Sequence, residues 1–260
     1  MSLDENLGKE ASWPDAWSAL YDQIDVDRQP HISFYSALVG RKTTSILDLG
    51  CGTGSITVKI AQSMAAGGRV TGVDLAPKMI EIAQQRAPEH EWLLGDICDP
   101  KVEGQFDLIV IMFHTLQMLL EDRQLYQAFS SISALLAPEG RFAFDIYQPN
   151  EAWLAAVDPA PVVAREYTDA SGERIEVLES NGEYSRQSKI LSGEWRLRHK
   201  QTGRMLALEP IVQRVRQFYP SDIEAAAAQS GMTIYARFGE LDLSPLTAQS
   251  KRQVYICKKA

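Results

Sequence analysis

The residues best placed to do chemistry lie at 46–54, Ile46-Leu47-Asp48-Leu49-Gly50-Cys51-Gly52-Thr53-Gly54. The apolar run reads as a buried parallel strand, and three glycines spaced two apart read as its tight exit into a helix. Glycine can take positive φ there and lets a bulky ligand approach the backbone. Asp48 stands where an acid accepts a hydrogen bond or a positive charge from that ligand. Two further carboxylates close strand-like runs. After a helix at about 55–66, Arg69 to Asp74 reads as a second strand, with Asp74 placed to accept from both hydroxyls of a ribose. Glu91 to Asp96 reads as a third, with Asp96 suited to the exocyclic amine of an adenine. A single acid at a strand end is commonly a helix cap or turn former. Three in succession beside a glycine loop point to a ligand outside the carboxyl ends of parallel strands. The spacing is G-x-G-x-G, not the G-x-G-x-x-G of a dinucleotide site, which disfavours the alternative of an NAD-linked oxidoreductase.

The elements that must position these groups follow in order. Phe106 to Ile111 reads as a fourth strand, and Leu135 to Phe142 as a helix end, a turn and a fifth strand. Ser221 and Glu224 read as the capping box of a last helix that ends at Gly231. Met232 to Arg237 and Gln253 to Cys257 read as a closing antiparallel hairpin. On these motifs the chain resembles the class I S-adenosylmethionine-dependent methyltransferases, from about residue 20 to 147 and again near 220–258. The resemblance implies an α/β Rossmann-like three-layer sandwich: a seven-stranded, mainly parallel sheet with an antiparallel last strand, plus an antiparallel β insert. It implies a helical arm at 1–40, a cofactor-binding core at 41–150, an insert acting as substrate lid at 151–219 and completion of the core at 220–260.

The cofactor implied is S-adenosyl-L-methionine. The resemblance assigns Asp48, Gly50, Cys51, Gly52 and Gly54 to the loop around its methionine half and Asp74, with Leu75 beside it, to the ribose. Asp96 goes to the adenine, Met79 and Ile97 to the adenine faces, and Met112 and Phe113 to the wall after the fourth strand. In similar enzymes an N-terminal tyrosine followed by an acid closes over the sulfonium. Tyr21-Asp22 matches that placement, with Tyr35 as a second candidate. A thiol nucleophile at Cys51 is the lesser reading beside that of a small residue tolerated at a backbone-binding turn.

Substrate specificity is expected after the fourth strand, in Met112-Phe113-His114-Thr115-Leu116-Gln117-Met118-Leu119. The Asn-Pro-Pro-Tyr of base-modifying relatives is absent. His114 lies where a base could take a proton from a hydroxyl or orient an amine, or it is a structural wall. Gln117, Tyr147, Tyr184 and Arg216 are the candidate acceptor-binding residues. The implied activity is methyl transfer to nitrogen or oxygen of a small molecule. The alternative is a non-catalytic module that uses the insert and a Trp13–Trp17–Tyr21 stripe as its interface. No metal-ligand spacing is present, so no metal is expected.

Between 151 and 219 the α/β rhythm gives way to alternating segments, Val162 to Thr168, Arg174 to Leu178, Lys189 to His199 and Arg204 to Phe218. Pro210 demands a bulge or an edge in the last of these. Tyr167, Tyr184, Trp195, Phe218 and Tyr219 line a pocket or pack a core. From Arg186 to Arg216 there are eight Lys/Arg and two acids, Glu194 and Glu209. Arg196, Arg198 and Lys200 share one strand face, read either as a solvated cationic side or as a site for an acidic substrate. Arg237-Phe238-Gly239-Glu240-Leu241-Asp242 reads as a loop at the pocket rim, with no role assigned.

Composition bounds the rest. Hydrophobic content of 45% over 260 residues supports a full core. A net charge of −8 argues against nucleic acid as partner. No stretch of 18 apolar residues suits a membrane, and Met-Ser-Leu-Asp-Glu-Asn has no signal character. Three cysteines without pairing pattern fit a reducing cytoplasm. The expected state is a monomer or homodimer.

Overall fold

The computed structural model describes residues 15–18, 20–24, 27–169 and 171–260. Trp13, expected to head the aromatic stripe of the arm, lies outside the described residues. The arm contributes α1 (Asp15–Ser18) and α2 (Gln29–Ala37). An α/β alternation follows: β1 (Ser45–Leu49), α3 (Thr57–Ala61), β2 (Arg69–Asp74), α4 (Pro77–Arg86), β3 (Glu91–Leu94), β4 (Phe106–Ile111), α5 (Asp122–Leu135) and β5 (Leu136–Tyr147). A short α6 (Glu151–Ala155) leads to β6 (Val162–Thr168), β7 (Arg174–Ser185), β8 (Ile190–His199) and β9 (Ile211–Arg216). The chain closes with α7 (Pro220–Gln229), β10 (Met232–Phe238) and β11 (Arg252–Lys259).

Two sheets result. The larger has strand order β10-β11-β5-β4-β1-β2-β3. β1 to β5 pair in parallel, while β11 runs antiparallel to both β5 and β10. Every β1 residue is buried, as a strand covered by helices on both faces requires. On α5, Leu125, Ala128, Phe129 and Ile132 form one apolar stripe, and Phe129 meets Phe142 and Phe144 edge-on. Burying each such ring is worth roughly 1.5–3 kcal/mol. Strand order reverses between β1 and β4, which opens a crevice at their carboxyl ends. The glycine loop leaves β1 at that crevice, and the specificity segment leaves β4 beside it.

The smaller sheet is the antiparallel meander β6-β7-β8-β9. Its inner face buries Ile175, Val177, Leu197 and Ile211 against Trp17 and Ile24 of the arm. Trp17 also donates its indole N–H to the Glu209 carbonyl, at 2.9 Å. Trp17, the middle residue of the expected aromatic stripe, therefore packs on the insert.

Several elements differ from the sequence reading. The helix expected at 55–66 is one short turn, Thr57–Ala61. The third strand stops at Leu94, because Asp96 folds back into a turn in which its Oδ1 accepts the Cys98 N–H at 2.8 Å. The last helix is capped two residues earlier than Ser221. Pro220 takes the first helical position and the Asp222 carboxylate accepts the Tyr219 N–H at 2.9 Å. The strand expected from Arg204 begins only after Pro210, and it lies at the sheet edge as proline requires. α6, capped by Asn150, was not anticipated. Among the described residues no helix is long and apolar enough to cross a membrane.

Candidate active site

The three loop glycines all have positive φ, +80° at Gly50, +54° at Gly52 and +69° at Gly54. They serve different ends. A Cβ at Gly50 would stand 2.3 Å from Thr115 Cγ2, so this glycine admits the segment after β4 against the loop. A Cβ at Gly54 would stand 2.6 Å from the Trp92 indole, and one at Gly72 would meet the same ring. Gly54 is thus explained by packing of loop against β3. A Cβ at Gly52 would clash with nothing and would meet only the Tyr21 ring, at 3.8 Å.

Asp48 is fully buried beneath the loop. Its Oδ2 accepts the Thr57 hydroxyl at 2.5 Å, and its Oδ1 meets no donor among the described residues. Burial pushes its pKa up to about 7. Asp74 ties the end of β2 to the loop, accepting the Gly52 N–H on Oδ2 at 2.8 Å and the Ala76 N–H on Oδ1 at 2.9 Å. A carboxylate has about four lone-pair sites, so both oxygens keep acceptor capacity. Leu75 is half-buried beside it. Burial drives the Cys51 thiol well above its usual range, which removes the thiolate that nucleophilic chemistry needs.

The arm is fastened over this loop by charge. Asp22 pairs with Arg28 at 2.7 Å and Arg86 at 2.5 Å, and accepts the Thr53 hydroxyl at 3.0 Å. The clamp holds Tyr21 at the mouth of a cavity of about 300 Å³. Its walls come from four places: Ile24, Asp27, Arg28 and His31 of the arm, Phe113, His114, Thr115, Met118 and Leu120 after β4, Arg165, Trp195 and Ile211 to Val215 of the insert, and Tyr147 with Arg252 at the ends of β5 and β11. Thr115 and Tyr21 thus touch both the glycine loop and the cavity.

The floor is organised by Asp145, an acid buried in β5. It accepts from Tyr35 Oη at 2.8 Å, the Phe113 N–H at 3.3 Å and Arg252 Nη1 at 3.0 Å, and pairs with His31 Nε2 at 3.2 Å. Burial opposes its charge, but the His31 hydrogen bond and the Arg252 guanidinium outweigh burial and hold its pKa well below the carboxylate range. Phe113 and His114 are consecutive left-handed residues, φ +52° and +64°. Such positions cost of order 1–3 kcal/mol each and persist where surrounding contacts enforce them. Here Asp145 holds the Phe113 N–H, Phe113 stacks on His31 at 3.8 Å, and His114 stacks on Tyr147 at 3.4 Å.

The site expectations fare unevenly. Tyr21, Phe113, His114 and Tyr147 all line the cavity. His114 does so without a free basic nitrogen. Its Nε2 faces Arg252 Nη1 at 3.0 Å and accepts from it, and its Nδ1 is buried 3.8 Å from Asp145. Burial lowers its pKa to about 3. Tyr35 is a correction: it lies under the cavity floor in the core, bonded to Asp145, and closes over nothing. Gln117, Arg216 and Tyr184 are also outside the cavity lining. Gln117 bridges the Arg216 carbonyl and the Tyr147 N–H, and Arg216 binds the Leu120 carbonyl and Asp122. Both therefore join the insert to the core, because an edge strand that ends a lid needs its polar groups satisfied there. Ile97 and Met112 belong to core clusters and Met79 is buried on α4.

Sequence reading missed His31, Asp145, Arg252, Arg165 and Arg214. For Asp145 a signal existed, an acid inside the apolar run Phe142-Ala143-Phe144-Asp145-Ile146. The others carry none, since they converge from separate elements. The unassigned rim loop supplies Glu240, which pairs with Arg252 at 3.4 Å.

Comparison with known proteins agrees with this geometry. Residues 46–140 match the family described as "Methyltransferase domain". Over 130 residues the chain is 34% identical to YqeM of Bacillus subtilis (strain 168), a match covering 48% of this chain and 51% of that protein. It is 36% identical over 149 residues to trans-aconitate 2-methyltransferase of Escherichia coli O1:K1 / APEC, covering 57% and 55%. The chain spans about half the length of these curated relatives. An S-adenosylmethionine-dependent methyltransferase from Clostridium acetobutylicum ATCC 824 has the same fold, with TM-score 0.74, 19% identity and coverage of 95% of this chain and 98% of that one.

Proposed function

We propose that the chain is a class I S-adenosylmethionine-dependent methyltransferase that methylates nitrogen or oxygen of a small acceptor held in the cavity, a reading supported by the match of residues 46–140 to a methyltransferase domain. One observation carries this reading: Thr115 and Tyr21 wall both the glycine loop and the cavity, so a donor on one side and an acceptor on the other meet between them. A cavity of about 300 Å³ lies at the lower end of the ~300–1,000 Å³ of small-molecule sites. The Escherichia coli relative is named for a small acceptor, trans-aconitate, which supports the same substrate class.

The residues present fit the donor. A buried carboxylate oxygen on Asp48 lacks a donor, and the methionine ammonium would supply one. Asp74, at the end of β2, would take the ribose hydroxyls, and the space at Gly52 would take the main bulk of the ligand. When bound, S-adenosylmethionine supplies an electrophilic methyl on a positively charged sulfur. The protein's own work is positioning and exclusion of water, and effective molarities from such positioning reach on the order of 10⁵ M. The Asp22 clamp holds the arm shut, and the Trp17-bound insert closes the other side. Burial raises the Tyr21 phenol above its ordinary pKa, so it meets the cavity as a neutral group at neutral pH.

Arg252 occupies the Nε2 lone pair of His114, which leaves the proton on Nδ1 and no basic nitrogen, so an acceptor that attacks as a neutral amine or a carboxylate suits the site better than an alcohol. Incubation with methyl-labelled donor and a metabolite extract tests the reading. The expected result is a labelled small product bearing an N-methyl group or a methyl ester. Label found only in protein or nucleic acid would reject it.

Asp48 adds a pH signature. Below about pH 7 its carboxyl is protonated and neutral, and above it the carboxylate opposes the ligand's ammonium. Adenosylhomocysteine affinity is therefore expected to rise roughly tenfold from pH 6 to pH 8, the full swing of one proton. Calorimetry across that range checks this, and Asp48→Asn should flatten the profile.

A further inference from the structure

We infer that the acceptor is a small anion whose carboxylate or phosphate is gripped by Arg165 of β6 and Arg214 of β9, an inference that rests on the methyl-transfer reading above. Four arginines line the cavity, Arg28, Arg165, Arg214 and Arg252, against one carboxylate, Asp27. Two of the four are already neutralised, Arg28 by Asp22 and Arg252 by Asp145 and Glu240. Arg165 and Arg214 have no carboxylate within ion-pair distance among the described residues.

Their condition contrasts with that of six other cations of the insert. Arg174 and Lys200 share Glu166, Arg196 pairs with Glu194, Arg198 with Glu176, Lys189 with Asp222 and Arg216 with Asp122. The face Arg196–Arg198–Lys200, which on sequence alone offered itself to an acidic ligand, is thus a set of matched surface pairs. Of the insert's arginines without a carboxylate partner among the described residues, Arg186 and Arg204 stand outside the cavity lining, whereas half-buried Arg165 and exposed Arg214 belong to it.

Arg165 is also held in place. Its guanidinium lies 4.6 Å from the centre of the Trp195 ring, a cation–π contact that orients its fork of donors. A planar fork is suited to bidentate capture of carboxylate or phosphate. The chain as a whole carries a charge of −8, which repels anions in bulk. A local cationic wall along a partly open cavity reverses that repulsion where the acceptor must enter.

The test is calorimetry on the full chain saturated with adenosylhomocysteine at low salt, with citrate as carboxylate probe and pyrophosphate as phosphate probe. One of the two should bind at a single saturable site, and which one does identifies the recognised group. The double substitution Arg165→Gln/Arg214→Gln should weaken that binding at least tenfold while adenosylhomocysteine affinity stays within twofold. Arg196→Gln, on the matched face, should leave both unchanged. If neither probe saturates the wild-type complex, or if binding survives the double substitution, the inference is overturned. If adenosylhomocysteine itself gives no heat, the methyl-transfer reading fails instead, and the same probes titrated into the free protein still decide the anion question.

Discussion

Asp145→Ala should lower global stability by about 3–5 kcal/mol, the scale for removing one partner of a buried charged pair. The acid is fully buried and gathers Tyr35, His31, the Phe113 N–H and Arg252. Its loss leaves a phenol, an imidazole and a backbone N–H without an acceptor in a dry site, and releases Arg252 to solvent on one side only. It also removes the contact that holds Phe113 in a left-handed conformation, so the strained turn into His114 should relax. At roughly 2–4 °C per kcal/mol for a chain of this size, the melting temperature should fall by roughly 6–20 °C. Thermal unfolding measures it. Because the Asp145 pKa is held low, this stability is present above the unfolded carboxylate pKa near 3.9 and is lost as pH falls through the folded value. A loss below 1 kcal/mol at pH 7 would mean that the network is hydrated and not the floor of a closed site.

The second large effect concerns the donor. Asp74→Ala should weaken adenosylhomocysteine binding by about 1–3 kcal/mol, the cost of leaving polar partners unpaired, or roughly 5–150-fold in dissociation constant. Two contributions combine. The ribose hydroxyls lose their proposed acceptor, and the Gly52 and Ala76 N–H groups lose the carboxylate that shapes the loop. Asp74→Asn separates them, because its amide oxygen keeps one of these bonds and should restore part of the affinity. An unchanged dissociation constant in Asp74→Ala would remove Asp74 from the donor site.

How far the site was legible can be argued residue by residue. The glycine loop, Asp48 and Asp74 were readable because strand periodicity and strand-end acids are local signals, and the fold places such residues at one crevice. Gly54 shows the limit. Its spacing marked it as a ligand glycine, yet its positive φ and lack of a Cβ are explained by the Trp92 indole packed against it, from a strand some 38 positions later. His114 shows another limit. Residue type and position suggested a base, but Arg252, brought alongside by the antiparallel pairing of β11 with β5, occupies its lone pair. Gln117 and Arg216 were polar residues near a substrate region, and tertiary contacts turned both into struts between core and insert.

The chain's sequence alone determined the seven-stranded α/β core, its antiparallel closing strand, the separate β insert and the donor-binding loop. The individual strands, turns and the glycine loop follow from apolar periodicity, turn residues and spacing within short windows, while the complete sheet and the loop's donor-binding role are what the family resemblance implies. Only the tertiary structure decided which cations are neutral and which are available. Arg196, Arg198 and Lys200 looked like the cationic site, with Arg214 counted only in the basic run around them and Arg165 outside it. The physical reason is that pairing of charges depends on distances across strands and between sheets, to about 4 Å, and no local pattern encodes those distances.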